Sequence, residues 1–478
     1  MSTTEVETKD QKTRHDKWKE TTKALLGAVR KETCQPYSIP VVPDDLRKSN
    51  ETAYMPKVVS IGPRYKGKKE LLPMEEIKWR CVTSLLSRTF GQDRIDNCLE
   101  AVINLDATVR VSYVDVIALD RYELAKTMVF DGCFLLELLI CESKLDLEIP
   151  IPFNGISPGI EVKKMEYVVS DLMLLENQIP IFILETLFEK LLGSSNQMRE
   201  FIQNLALPLF GYSGKLMGRS TSHFLDVAYS YIEMEWTDKP GEENDTDTDT
   251  NLTMLQALRL HRCATRQEAA LHRCATRQEA AGITITIKPL NKNDDPSPIN
   301  FKFTTQFDKS KGILQIPTLI IKQTTEVKWR SFIAWEHHKK KLKTSSSSVA
   351  DRRSICTSSA LLFRDLICCS SDVQLIEDHT NKSNRDLVAF FHSIASGVDV
   401  GIMDHKHTTM FLAMNEFPTK SYLTKIWILL IHYFGKTSDW YYRFYKFLKR
   451  GYNLAAAIVT FLTVVQTCYA VLAYHFPM

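Results

Sequence analysis

Apolar side chains recur at helical spacing through most of this chain. From Leu71 to Leu145 the stripe runs through Ile77, Cys81 and Leu85, then Leu124, Met128, Leu135, Leu138 and Leu139. A second helical block spans Val168 to Leu192. Pro180 divides it and starts the second segment, because the N–H that proline lacks is not needed in a first helical turn. Ile181, Leu184, Phe188 and Leu191 then fall on one face, and Gly193 is a natural stop. The pattern changes to period two in Ile283-Thr-Ile-Thr-Ile287 and at Phe301 and Phe303, with a further apolar segment from Gly312 to Ile321. These segments predict a small, mostly antiparallel sheet. Helical spacing returns at Phe332–Trp335, Leu361–Ile367 and Leu387–Ile394, interrupted by a basic, serine-rich loop from His337 to Ser348. The expected fold class is α+β, predominantly α-helical.

The last apolar segment differs in kind. Leu454 to Ala473 is uncharged and about 20 residues long, enough for one helix to cross a bilayer. Trp440, Arg443, Lys446, Lys449 and Arg450 precede it as a basic-aromatic collar that suits a cytoplasmic membrane interface. Thr460, Thr463 and Thr467 can bond back to such a helix, and Gln466 is its one amide. The polar start shows no signal sequence. The expected organisation is a polar arm over residues 1–38, a globular domain over 39–450 and a transmembrane helix over 453–475. The lipid bilayer is thus an expected partner. The large domain is expected in the cytosol, on the plasma membrane ahead of the endoplasmic reticulum. Sequons at Asn50, Asn244, Asn251 and Asn381 are usable only on the luminal side.

Composition narrows the function further. The chain has 478 residues, 44% of them hydrophobic, ample for a core. With 60 basic against 57 acidic residues the net charge is +3, and no nucleic-acid partner is expected. The 11 cysteines follow no regular framework and read as free, mostly packed thiols. Residues 241–250 form an acidic, solvated loop, and LHRCATRQEAA occurs twice in tandem over 260–281. Eleven residues make about three helical turns, so a helix absorbs the duplication. The copied His261/Cys263 and His272/Cys274 pairs imitate a metal site without the geometry for one.

Other chemical motifs fail on inspection. Ser157 sits in a G-x-S-x-G pattern, but Pro158 cannot supply the oxyanion-hole N–H. Asp245, Asp247 and Asp249 lack the glycine and glutamate of a calcium loop. Gly211–Gly218 lacks phosphate-loop spacing. His405, His407, His337 and His338 read as solvated, and Cys368–Cys369 as packed. No catalytic residue, cofactor or metal is expected.

The distinctive segments are of another type. Val58-Val-Ser60-Ile-Gly62-Pro63, with Met74-Glu75 and Lys78, is followed by Asp131-Gly132-Cys-Phe134 and by Asp171-Leu-Met-Leu-Leu-Glu176-Asn177-Gln178-Ile-Pro180. Together with Ile316-Pro317, Thr325-Glu326, Ser371–Leu375 and Leu462–Thr467 they resemble the plant domain of unknown function 247 family, also called uncharacterised protein family 0481. The resemblance runs from about Ile39 onward. It implies a single-pass plant membrane protein without established catalytic activity, in a family linked in grasses to self-incompatibility. Arg64-Tyr65-Lys66 and Trp335-Glu-His-His depart from the family pattern. Physically, Glu176, Asn177 and Gln178 read first as a solvated cap of a helix junction, and otherwise as a buried network fixing how two helices meet. Asp131, set among Met128, Val129, Phe130 and Phe134, needs a donor if buried. These are scaffold residues in either case. The expected function is protein recognition or signalling at a membrane, through an unidentified protein partner. Competing classes are an enzyme with a dispersed site and a structural tether.

Overall fold

The computed structural model describes residues 38–88, 94–142, 160–193, 198–237, 274–280, 282–288, 305–317, 319, 321–343, 354–374, 384–398 and 404–417. Isolated positions at 15, 18, 19, 22, 463, 466 and 467 are described as well. In chain order the first helices are α1 (Asp44–Ser49), α2 (Leu72–Arg88), α3 (Arg94–Asn104), α4 (Asp106–Val111), α5 (Arg121–Glu142), α6 (Val162–Leu172), α7 (Ile181–Leu192), α8 (Met198–Leu209) and α9 (Phe224–Thr237). Then come α10 (Ala275–Ala280) and strands β1 (Thr284–Lys288), β2 (Gln306–Asp308) and β3 (Ile313–Pro317). The later helices are α11 (Thr325–Lys343), α12 (Ile355–Leu366), α13 (Ser370–Gln374), α14 (Asn384–Ile394) and α15 (His405–Glu416).

Helix α5 is apolar on nearly every side, and a helix of that kind belongs in a core. Leu124, Met128, Leu135, Leu138 and Leu139 are all buried, as are Cys133, Phe134 and Leu136 between them. It packs against α2, α3, α7 and α8. Gly132 permits the approach of α7, since a Cβ there would stand 2.3 Å from Leu187 Cδ1. On α7 the stripe Ile181, Leu184, Phe188 and Leu191 is buried. Pro180 immediately precedes that helix, Ile181 N–H donates to the Ser222 carbonyl at 2.8 Å, and Gly193 ends it at φ 106°. Cys81 and Leu85 of α2 are buried too, with Ile77 half-buried.

The sheet departs from expectation. β3 lies in the middle, antiparallel to β2 from Gln306↔Gln315 to Asp308↔Ile313 and parallel to β1 from Thr284↔Ile313 to Lys288↔Pro317. It is therefore mixed, with the longer pairing parallel. Alternation reveals which face of a strand is buried but not which direction its neighbour runs. A tight turn through Gly312, at φ 65°, makes β2–β3 a hairpin, whereas the longer connection from β1 to β2 permits a crossover. Phe301 and Phe303 lie outside the described residues.

The loop expected from His337 is helix as far as Lys343. Neighbours hold the extra turns in place. Lys339 Nζ meets Glu233 at 2.9 Å and lies 4.7 Å from the Tyr229 ring, while His338 stacks on Trp335. His407, expected in solvent, is buried and stacks flat on Trp236 at 5.2 Å. Of the described cysteines only Cys369 is exposed, against the packed reading of that pair. Ser157, the acidic loop and all of the duplication before Cys274 lie outside the described residues. Among the described residues no helix is long and apolar enough to cross a membrane. The Leu454–Ala473 run as a whole lies outside them.

Two buried charges on α11 join the layers. Arg330 donates to Glu326 at 2.9 Å, to Ser49 Oγ at 2.8 Å and to the Ser393 carbonyl at 2.6 Å, tying α1 and α14 to α11. Glu336 accepts the Cys356 N–H at 2.7 Å and the Thr357 N–H at 2.8 Å in the first turn of α12, and the Tyr229 hydroxyl at 3.0 Å. Burial pushes its carboxyl up to about 7, against the pull of these donors. A carboxyl raised on folding holds its proton more tightly in the native state, so ionising it lowers stability as pH rises from about 4.5 to about 7. The term is on the order of 3 kcal/mol. Glu336→Gln should remove that fall. Urea unfolding of both proteins across pH 4.5–7.5 should show the wild type losing stability relative to the variant as pH rises, and a constant difference would contradict the assignment.

Candidate functional site

The segment from Lys57 to Gly62 runs from the surface into the core without forming helix or strand. Its amides must still find acceptors. Asp171, at the end of α6, accepts the N–H groups of Lys57 at 3.0 Å, Val58 at 2.7 Å and Val59 at 2.9 Å. Asn177 Oδ1 accepts Ile61 N–H at 2.8 Å, and its Nδ2 donates to the carbonyls of Val59 at 3.1 Å and Asp171 at 2.9 Å. Asp131 on α5 accepts Gly62 N–H at 2.8 Å. Pro63, next in line, has no N–H to satisfy. Gly62 sits at φ 80°, where a Cβ would be 2.5 Å from the Gln178 carbonyl oxygen, so this position requires glycine.

Lys78 of α2 completes the lower side. Its ammonium donates to the Ser60 carbonyl at 2.5 Å and meets Asp131 and Glu75, each at 2.6 Å, so its three protons have three acceptors. Burial opposes that charge, but Asp131 and then Glu75 outweigh it and raise the lysine pKa. Burial also works against the Glu75 charge, yet Lys78 and Lys66 hold its carboxyl below the usual range. Asp171 is pushed up to about 6 by burial, opposed by the three amides it accepts.

Glu176 forms the upper side. One carboxylate oxygen accepts Val42 N–H at 2.9 Å and a proton of Arg47; the other accepts the Tyr65 hydroxyl at 2.8 Å and lies 3.1 Å from Arg64 Nε as an ion pair. Three hydrogen bonds and two guanidinium charges thus hold it. Burial, then Glu176 itself, raises the Tyr65 hydroxyl pKa. Gln178 turns inward, its Nε2 donating to the Leu172 carbonyl at 2.6 Å and the Leu174 carbonyl at 2.8 Å, while its own carbonyl accepts the Tyr113 hydroxyl at 2.9 Å.

Outside this network lies a cavity of about 350 Å³. Glu176, Arg64 and Tyr113 stand at its inner end, and its walls come from Ile39–Val41, Pro63 and the loop Val116–Leu119.

Ser60, Gly62, Pro63, Asp131, Gly132, Glu176, Asn177, Gln178 and Pro180, far apart in sequence, thus meet around one junction. Glu176, Asn177 and Gln178 do not solvate it. All three are buried: Asn177 serves the threaded segment at Val59 and Ile61, Glu176 serves Val42, Arg47 and Tyr65, and Gln178 serves the carbonyls of Leu172 and Leu174. Trp440, Arg443, Lys446, Lys449 and Arg450 lie outside the described residues. Sequence reasoning missed the roles of Asp171, Tyr65, Arg47 and Tyr113. Asp171 lay in the same motif, six residues before Asn177, and Tyr65 lay in the Arg64-Tyr65-Lys66 departure from the family pattern.

The sequence comparisons fit this convergence. A family model described as plant protein of unknown function matches residues 39–441. The chain belongs to the plant domain of unknown function 247 family. It is similar to a UPF0481 protein of Arabidopsis thaliana, 26% identical over 465 residues that cover 94% of this chain and 89% of the relative. A second UPF0481 protein of the same plant is 27% identical over 161 residues, covering 34% of this chain and 28% of the relative. No solved structure matches.

If Lys78 neutralises the junction, its loss strands a buried carboxylate. Lys78→Met should destabilise the protein by about 3–5 kcal/mol. Adding Asp131→Asn, which keeps an acceptor for Gly62 N–H without the charge, should recover at least about 1 kcal/mol. Urea midpoints read both values; equal stability of the single and double variants would refute the pairing.

Proposed function

We propose that this protein is a membrane-anchored recognition component that binds another protein through the surface around the Arg64 cavity. The observation that carries this reading is the state of the polar groups. Lys78, Glu75, Asp131, Asp171 and Glu176 converge as an enzyme's residues would, but each is used on a neighbour within the core. Glu176, which lines the cavity, already accepts three hydrogen bonds and is paired with Arg47 and Arg64, which makes it a poor general base. On one side Ile39–Val41 and Val116–Leu119 form an apolar wall, and Val116 on the rim is 98% exposed. An apolar, accessible rim favours binding over chemistry. The family's link to self-incompatibility in grasses is consistent with recognition or signalling.

The anchor is the Leu454–Ala473 run, with the collar from Trp440 to Arg450 on the cytosolic side. Among the described positions within the run, Thr463, Gln466 and Thr467 are helical, and Thr467 Oγ donates to the Thr463 carbonyl at 2.7 Å. Asn50 supports a cytosolic domain, since its side-chain amide, the atom a glycan would occupy, donates to Glu326 at 2.9 Å.

In plant cells the full chain should stay with membranes through a carbonate wash, and a chain ending at residue 452 should be released. An endoglycosidase shift should appear only when an acceptor site is appended at the C-terminus; a shift of the native chain would place the domain in the lumen. In the same membranes Val116→Glu should remove specific cross-linked adducts while leaving membrane association intact. An unchanged adduct pattern would favour a structural tether.

A further inference from the structure

The loop that forms the outer wall of the cavity is held rigidly in a shape that exposes apolar residues. At its start Ile39 N–H donates to Ser112 O at 2.8 Å and Val114 N–H to Ile39 O at 3.3 Å, which pairs Ile39 with Tyr113. At its end Arg110 of α4 donates to the Ile117 carbonyl at 2.9 Å and the Leu119 carbonyl at 2.8 Å, and is itself fixed by Asp106. Between these clamps Val114 and Val116 face solvent. Their exposure is imposed by the backbone rather than by fraying, and fixed apolar exposure beside a cavity is the signature of a preformed ligand site.

The opposite wall is basic. Arg64 and Lys66 line the cavity, and the exposed Lys68 and Lys69 follow them before Glu70. Lys66 is committed to Glu75, and Lys68 lies over the Tyr65 ring at 4.7 Å. Arg64 is the one that faces across the cavity. Its Nε is held by Glu176, while a terminal nitrogen reaches over the mouth to Asp115, a carboxylate 54% exposed on the apolar loop. An exposed pair of this kind contributes little to stability and is readily exchanged. A guanidinium has five donors in a planar fork, and a free carboxylate can take two of them at once, where Asp115 takes one.

We propose that the cavity binds an apolar carboxylate, with the apolar body against Ile39, Val41, Ile117 and Leu119 and the carboxylate on Arg64 in place of Asp115. The volume suits a group the size of an aromatic or branched aliphatic acid. A dianion such as phosphate is less well matched, because Lys66 is already neutralised by Glu75. The chemistry is shared by free small acids and by a protein C-terminus ending in an apolar residue. The inference rests on the recognition reading for the place of docking and adds the chemical class of the ligand.

The test uses the full chain in lipid nanodiscs, with empty nanodiscs subtracted, and isothermal titration of four probes. These are 4-phenylbutyrate, 4-phenylbutanol, and a heptapeptide ending in leucine with a free or an amidated C-terminus. The acid or the free peptide should bind at least about tenfold more tightly than its uncharged twin, the size of one charge-assisted hydrogen bond. Arg64→Gln should abolish that preference. Asp115→Asn should tighten binding severalfold by removing the internal competitor, a gain that structural damage would not produce. Equal binding of charged and uncharged twins, no binding at all, or weaker binding by Asp115→Asn would overturn the proposal. Preference for the free peptide identifies a protein C-terminus. Binding of phenylbutyrate alone identifies a free acid, which upholds this inference while removing the cavity from the recognition reading.

Discussion

An extended segment buried without strand neighbours is costly unless each backbone donor has a partner, because an unsatisfied buried amide costs about 1–3 kcal/mol. Here side chains supply partners for the amides of Lys57, Val58, Val59, Ile61 and Gly62. Asp171, Asn177 and Asp131 replace the neighbouring strand, and Lys78 and Asn177 answer the carbonyls of Ser60 and Val59. The arrangement explains why carboxylates and amides occupy the centre of an otherwise apolar helical layer. Asp171, Asn177, Asp131 and Glu176 each accept a backbone N–H there, and the Lys78 ammonium is matched by Asp131 and Glu75.

The same constraint shapes the surface. Glu176 must be held by Val42, Arg47, Tyr65 and Arg64, so the segments that carry these residues meet at one place. Their meeting leaves a cavity on the outer side, walled by Pro63 and the loop that Arg110 clamps. The cavity is thus a by-product of the junction. Arg64 belongs to both, one nitrogen held by Glu176 and another paired with the exposed Asp115.

Much of the helical layer was legible because burial imposes a period on one helix at a time. Ile181, Leu184, Phe188 and Leu191 announce α7 locally, and Gly193 announces its end. The junction was legible only as a set of unusual segments. Its bonds connect residues such as Ile61 and Asn177, or Val42 and Glu176, more than a hundred positions apart, and no periodicity records a partner at that distance. Polar side chains between two helices therefore read as solvated until the segment beneath them is known. The direction of β1 and the last turns of α11 escaped for the same reason, since both depend on contacts with other elements.

Amide hydrogen exchange along residues 57–62 of the full chain tests most directly whether side chains really stand in for a missing strand. Exchange of Val58, Val59, Ile61 and Gly62 only through global unfolding, as slowly as the amides of Leu135–Leu139 in α5, is the expected result. Exchange at the rate of an exposed loop, with α5 still protected, would contradict the account.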